Sequence, residues 1–284
     1  IANRLDASFF ILDEERLTSR VILQNPEKSP LVLDFSSLNG SIVEDLKLRD
    51  FTFNAMAIDL RNTKKIIDPL NGERDLNEGK LRLCGNNSFI DDPVRVIRAV
   101  RYATELEMQI ETETLQLLLI AKNRLNQISL ERKRDELFKI LDNPRALPAV
   151  LLLKKLEILD QLGLNIDADR LAQFRALEKI LSWIICYEKP SESENLINTV
   201  FASSISTFRN SLAKTMSMKN SSGHSRCEVD KYFLLMPKFH NEQHKSQNLE
   251  QVFSNEEKDL IRLLKNNFNL VLSLLESVEG ISNR

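Results

Sequence analysis

The chain has 284 residues, enough for two domains with a sizeable core, and it is 42% hydrophobic and 28% charged, as ordinary globular proteins are. Seven Gly and eight Pro are too few for a turn-rich β fold and favour a mostly helical body. A formal net charge of −2 carries no overall signature of nucleic-acid binding, so any such surface has to be a local patch. Cys84, Cys186 and Cys227 form no C-x-x-C pair, which argues against a zinc site or disulfide framework and for a reducing cytoplasmic setting. Each reads as a small inert thiol. No apolar run reaches membrane-spanning length.

The first 70 residues read as short strands. Ser8 to Leu12 is a compact apolar run, Asp13 to Arg16 a polar turn, and Arg20 to Leu23 the returning strand of a hairpin. Pro30 to Phe35 is a third strand. Ile42 to Leu48 has helical spacing, and Ala55 to Leu60 and Lys65 to Ile67 read as strands again. Mixed short strands with one helix predict part of an α+β domain over residues 1–88.

From Ser88 the period changes to helical. A helix is expected over Asp91 to Leu106, with Pro93 in its first turn, where a missing N–H costs nothing. Others are expected over Thr112 to Arg124 and over Leu130 to Leu141, the latter with Ser129 as N-cap, Glu131 in the first turn and Lys139 in the last. Leu147 to Leu162, Ala168 to Tyr187 and Asn255 to Val278 continue as helices. Lys189 to Asn195 reads as a linker, Ser217 to Ser225 as a disordered loop, and His224, His240 and His244 as solvated. The division expected is 1–88, 89–142 and 143–284.

Four groups of residues carry chemical potential. Asp92, Arg95, Arg98 and Arg101 lie three apart and form a slanted stripe on one side of a helix, opposite apolar positions such as Ile97 and Val100. Three guanidiniums on one stripe repel one another unless an anion lies across them. A carboxylate followed by arginines suits a nucleobase and its phosphates, because the carboxylate accepts from an amino group and Arg donates in a fixed fork. The alternative is a solvated charged face. Arg49-Asp50, at a helix–strand boundary, suits ribose and phosphate or a structural ion pair, with Thr52 and Asn54 adding short polar groups. Asp68-Pro69-Leu70-Asn71-Gly72-Glu73-Arg74-Asp75 is a tight turn whose bracketing acids, Asp68 and Asp75, are placed to accept from its backbone N–H groups. Glu131-Arg132 opens a salt-bridged helix.

In this order, Glu44-Asp45-Leu46-x-x-Arg49-Asp50-Phe51-Thr52-x-Asn54-Ala55, Asp68-Pro69-x-x-Gly72-x-x-Asp75-Leu76, Asp91-Asp92-x-x-Arg95 and Glu131-Arg132 to Glu136-Leu137 resemble the motifs of class II tRNA nucleotidyltransferases and bacterial poly(A) polymerases. The resemblance covers roughly residues 30 to 142. It implies a partial nucleotidyltransferase head followed by an all-α neck, body and tail, with residues 143–284 holding RNA. It also implies that Asp92 and Arg95 select the base of incoming ATP or CTP, that Arg49, Asp50, Asn54, Arg98 and Arg101 hold ribose and phosphates, that Asp68, Gly72 and Asp75 belong to a flexible head-to-neck element, and that Glu131 and Arg132 steady the selecting helix. The reaction implied is addition of AMP or CMP to a tRNA or other RNA 3′ end, with Mg²⁺ as cofactor.

The sequence departs from the family pattern in places. Leu48 stands where many members have a second Arg, and Asp91 replaces the usual Glu. The Gly-Gly turn and paired-Asp metal motif that open the family do not occur in these residues. Asp34 is a weak match to a third carboxylate and cannot build a two-metal site alone. The sequence therefore reads as an enzyme fragment inactive by itself, the alternative being a non-catalytic nucleotide- or RNA-binding remnant.

Overall fold

The computed structural model describes residues 2–14, 17–24, 30–38, 40–185, 212–236 and 249–267. Most of the strands lie before residue 70 and most of the helices after it, so the α+β arrangement follows the switch in period along the chain. Ser8–Asp13, Thr18–Leu23 and Leu31–Ser36 form an antiparallel sheet in that order. The hairpin expected from the two apolar runs pairs Phe10 with Arg20, and Arg20 lies opposite Asp34 on the third strand. Ile42–Lys47 is a helix opened by a capping box between Ser41 and Glu44. A second hairpin joins Ala57–Asp59 to Asn62–Ile67.

The expected helix from Asp91 to Leu106 is divided. Ser88–Asp91 is one short helix and Arg95–Glu105 another, with Asp92 extended between them (φ −147°, ψ 92°). Pro93 is the cause: its ring disfavours a helical conformation in the residue before it. The break turns Asp92 from a helical residue into a junction residue beside the start of the second helix. Two other helices are also shorter than their apolar stripes. Thr112–Ala121 tightens into a 3₁₀ segment over Lys122–Gln127. The run from Leu147 to Leu162 divides into Leu147–Lys155 and Ile158–Gln161, because Glu157 is left-handed (φ 58°).

Leu130–Asp142 forms as expected, with the Ser129 hydroxyl accepting from Arg132 N. Ala168–Ile185 and Asn255–Asn266 are helical over their described parts. The linker 189–195, Cys186, Tyr187, His240, His244 and residues 268–278 lie outside the described residues.

One apolar cluster joins the elements from Phe51 onward, from Phe51, Leu81, Ile97 and Val100 through Leu118, Leu137 and Phe138 to Tyr232, Phe253 and Ile261. It buries the apolar side of Arg95–Glu105 and leaves its arginines at the surface of the core. No helix among the described residues is long and apolar enough to cross a membrane.

Two expectations for the polar stretch 217–225 are corrected. It is an ordered turn closed by a bridge between Lys219 and Ser225, and Asn220 N donates to the His224 carbonyl at 2.9 Å. His224 is buried rather than solvated. Its Nδ1 lies 2.6 Å from Glu257 Oε1, and its ring packs on Phe138 with centroids 4.1 Å apart. A polar sequence hid a residue that joins two helices across a long sequence separation.

Burial works against the Glu257 charge, but hydrogen bonds from His224, Ser254 and Asn220 outweigh it and lower its pKa to about 2. A depressed carboxylate stabilises the fold above its unfolded pKa and loses that contribution as the pH falls through the folded value. Glu257→Gln is therefore expected to cost roughly 3 kcal/mol at pH 7. In urea melts against pH, the gap to wild type should close between about 4.5 and about 2. A gap constant with pH would contradict the assignment.

Candidate functional site

An open cleft of about 580 Å³ lies where the segment after the Ile42–Lys47 helix meets Arg95–Glu105 and Leu130–Asp142. Its lining includes Leu48, Arg49, Asp50, Asn54, Asp92, Arg95, Arg98, Tyr102, Arg132, Asp135, Glu136 and Lys139. That volume lies within the roughly 300–1,000 Å³ usual for small-molecule sites. Five cations and four acids face it, a composition suited to a polyanion with a polar base.

Asp50 is the hub. It is buried, its Oδ2 accepts from Arg98 Nε at 2.9 Å and Nη2 at 2.6 Å, and its Oδ1 accepts from Phe51 N at 2.9 Å and Asn54 Nδ2 at 3.2 Å. The Arg49-Asp50 pair thus divides its labour. Asp50 is inward and structural, while Arg49 is exposed and bound to Asp45 at 2.9 Å.

The arginine stripe needs no external anion to hold it together, contrary to the expectation from charge alone. Burial works against the Arg98 charge, but Asp50, Tyr102 and Glu136 outweigh it and hold the guanidinium above its ordinary pKa. Glu136 also takes Arg101 Nε at 3.2 Å and Lys139 Nζ at 2.7 Å. Burial pushes Glu136 upward, but the Lys139 hydrogen bond and three nearby cations leave it below the usual carboxylate range. Arg101 does not line the cleft. It binds Glu136 and Glu105 and lies 4.1 Å above the Tyr102 ring, so its role is to support the stripe from behind.

Arg95 donates from Nη1 to Ser88 Oγ at 2.6 Å and from Nη2 to the Leu48 carbonyl at 3.1 Å. It thereby ties the Arg95–Glu105 helix to the end of the Ile42–Lys47 helix, where carbonyls favour a cation. Asp92 Oδ2 accepts from Arg132 Nη2 at 2.7 Å.

The turn residues lie outside the cleft and brace it. Asp68 accepts from Gly72 N at 2.8 Å and Glu73 N at 3.0 Å, capping Gly72–Asn77. Asp75 does not serve its own turn as expected. It is buried and accepts from Thr52 Oγ1 at 2.8 Å and Arg82 Nε at 3.1 Å, fixing the turn that carries Asn54. Glu131 is exposed and does not line the cleft. Asp34 is held by Arg20 at 2.7 and 2.9 Å across the sheet, in an exposed ion pair. Among the described residues no group of three or more His, Cys, Asp or Glu is arranged to hold a metal ion. Beside the cleft, burial and then the Asp50 charge push the Cys84 thiol up to about 12, which leaves it unreactive.

Tyr102, Asp135, Glu136 and Lys139 are cleft residues that the motif reading left without a ligand role. Spacing carries the signal: 132, 135/136 and 139 share one helix face, and 102 lies four after 98.

The "Poly A polymerase head domain" profile matches residues 14–82, and that of the "Probable RNA and SrmB-binding site of polymerase A" matches residues 107–169. The CC-adding tRNA nucleotidyltransferase of Geobacter sulfurreducens is 43% identical over 152 residues, 53% of this chain and 34% of that protein. Both matches are to the class II CCA-adding enzymes and poly(A) polymerases that the motif order also resembles. Another relative, the A-adding tRNA nucleotidyltransferase of Deinococcus radiodurans, is 35% identical over 165 residues, covering 56% of this chain and 36% of that one. The fold is that of a CCA-adding enzyme solved in complex with ATP, at a TM-score of 0.68 and 21% identity over 97% of this chain and 60% of that one. The chain spans about a third of the length of the curated relatives it matches.

Proposed function

We propose that this chain forms the nucleotide-selecting part of a template-independent RNA nucleotidyltransferase that adds AMP, CMP or both to the 3′ end of tRNA. The observation that carries the reading is the cleft itself. It gathers Arg49, Asp50, Asn54, Asp92, Arg95 and Arg98, which are far apart in sequence, on one polar surface of suitable size. Relatives named for CC and A addition, and a similar fold solved with ATP, support it.

In this reading the RNA 3′-hydroxyl attacks the α-phosphate of ATP or CTP and pyrophosphate leaves. The Asp92 carboxylate accepts from the exocyclic amino group of adenine or cytosine. Arg95, whose Nη atoms anchor it to the head segment, presents Nε to the ring. Arg49 and Arg98 face the ribose and phosphates, with Asp50 and Glu136 holding Arg98 in place so that little reorganisation accompanies binding. Residues 143–284 contribute to holding the RNA. Mg²⁺ supplies charge stabilisation and hydroxyl activation in such chemistry. The described residues do not fit it, since Asp34 is spent on Arg20 and no carboxylate cluster is present among them. A second reading is a protein that binds nucleotide or RNA without transferring it. Labelled AMP appearing on tRNA would decide for the transferase.

Titration calorimetry with ATP and CTP tests the shared part of both readings. Arg95→Ala is expected to weaken binding about tenfold or more, as loss of a charged hydrogen-bond donor does. No binding by the wild-type chain, or binding that Arg95→Ala leaves untouched, contradicts it.

A further inference from the structure

The five cations of the cleft differ in how freely they can leave their present partners. Arg98 is committed, with Nε and Nη2 on Asp50, Nη2 also on the Tyr102 hydroxyl and Nη1 on Glu136. Arg95 has its Nη atoms on the Leu48, Arg49 and Ser88 oxygens. Arg49 and Arg132 are each the sole ion-pair partner of an acid, Asp45 and Asp92, among the described residues. Lys139 is different. Its Nζ makes one hydrogen bond among the described residues, to Glu136 Oε1 at 2.7 Å, and its side chain is 54% exposed. An ammonium has three donors, so two remain. An exposed pair on one helix face is worth little. Glu136 does not depend on it, since Arg98 Nη1 and Arg101 Nε stay at 3.3 and 3.2 Å. Lys139 can therefore turn to another anion without leaving a buried carboxylate bare.

The position of Lys139 says which anion. The Arg95–Glu105 segment and the Leu130–Asp142 helix are joined across the cleft by two rungs, Asp92 to Arg132 at 2.7 Å and Arg98 to Glu136 at 3.3 Å. Lys139 follows Glu136 by nearly a turn, which puts it roughly 10 Å along the helix from Arg132 and the Asp92 rung. With a base on Asp92, and ribose and first phosphate beside Arg98, the next groups along a nucleotide are its outer phosphates. We propose that Lys139 takes hold of those outer phosphates, leaving Glu136 as they arrive, and so makes the cleft prefer a nucleoside triphosphate to a monophosphate. The inference rests on the nucleotide-binding reading above. A mobile ammonium suits the several oxygens of a phosphate chain, where a fixed guanidinium fork suits one orientation. Phosphates of an RNA strand share this chemistry, but the order of groups along the cleft favours those of the nucleotide.

The test is a titration of wild type, Lys139→Gln and Lys139→Arg with ATP, AMP and a short single-stranded RNA, with thermal melts alongside. Gln keeps a donor for Glu136 and loses the charge, whereas Arg keeps the charge. Wild type is expected to bind ATP more tightly than AMP. Lys139→Gln should lower that ratio about tenfold with its AMP affinity and melting point unchanged, and Lys139→Arg should keep most of it. A purely structural role, through Glu136 and Arg98, weakens both nucleotides alike. An unchanged ratio in Lys139→Gln, an equal loss for ATP and AMP, weaker RNA binding with ATP untouched, or equal binding of ATP and AMP by wild type overturns the proposal while the cleft still binds nucleotide. A wild-type chain that binds neither nucleotide overturns the nucleotide-binding reading and this one with it.

Discussion

Asp50→Ala is expected to destabilise the protein by about 3–5 kcal/mol and to abolish measurable ATP binding, because it leaves the Arg98 charge partly buried without its main partner. The carboxylate also accepts from Phe51 N and Asn54 Nδ2, so the same change frees the turn that lines the cleft. Urea melts give the first number and calorimetry the second. Asp50→Asn keeps the shape, but a neutral amide with one accepting oxygen cannot serve the guanidinium and both N–H donors as well. An intermediate loss is expected for it. Asp50→Ala with wild-type stability would mean that Arg98 finds another anion, and the hub assigned to Asp50 would be wrong.

Gly72→Ala is expected to be nearly as damaging, for a different reason. A Cβ at this position would lie 2.0 Å from the Thr52 carbonyl oxygen and 2.6 Å from its carbon. Those are backbone atoms, held in place by the Asp75–Thr52 bond and by Thr52 N donating to the Arg82 carbonyl at 3.0 Å. Neither side can yield by a side-chain rotation, so the turn must move off the Thr52–Asn54 segment. Overpacking of this kind costs about 1–3 kcal/mol, and here the displaced segment carries Asn54 into the cleft. Thermal melting and ATP titration should therefore fall together. A variant with unchanged melting point would show that the two segments are not in contact in solution.

What the sequence made legible was local. Ser129 as an N-cap, the Phe9/Val21 hairpin and the apolar stripe of Ile97 and Val100 all depend on neighbours within a few residues, and all three formed. The motif spacing located the cleft as well, because Arg49, Asp92, Arg95 and Arg98 do converge there. The rest depended on partners far along the chain. Nothing near Asp75 announces Thr52 and Arg82, nothing near His224 announces Glu257, and nothing in the stripe says that Asp50 and Glu136 already neutralise it. The break at Asp92 was readable in principle. By position Pro93 reads as a helix-start residue, but its stronger effect is on the residue before it.

A crystal structure of the chain with ATP bound bears most directly on the nucleotide-selecting role proposed for the cleft. Expected is adenine with its amino group on Asp92, its ring edge facing Arg95, and its phosphates among Arg49 and Arg98, with the Arg98–Asp50 pair intact. ATP bound away from these side chains, or a cleft left empty at saturating ATP, would contradict the assignment.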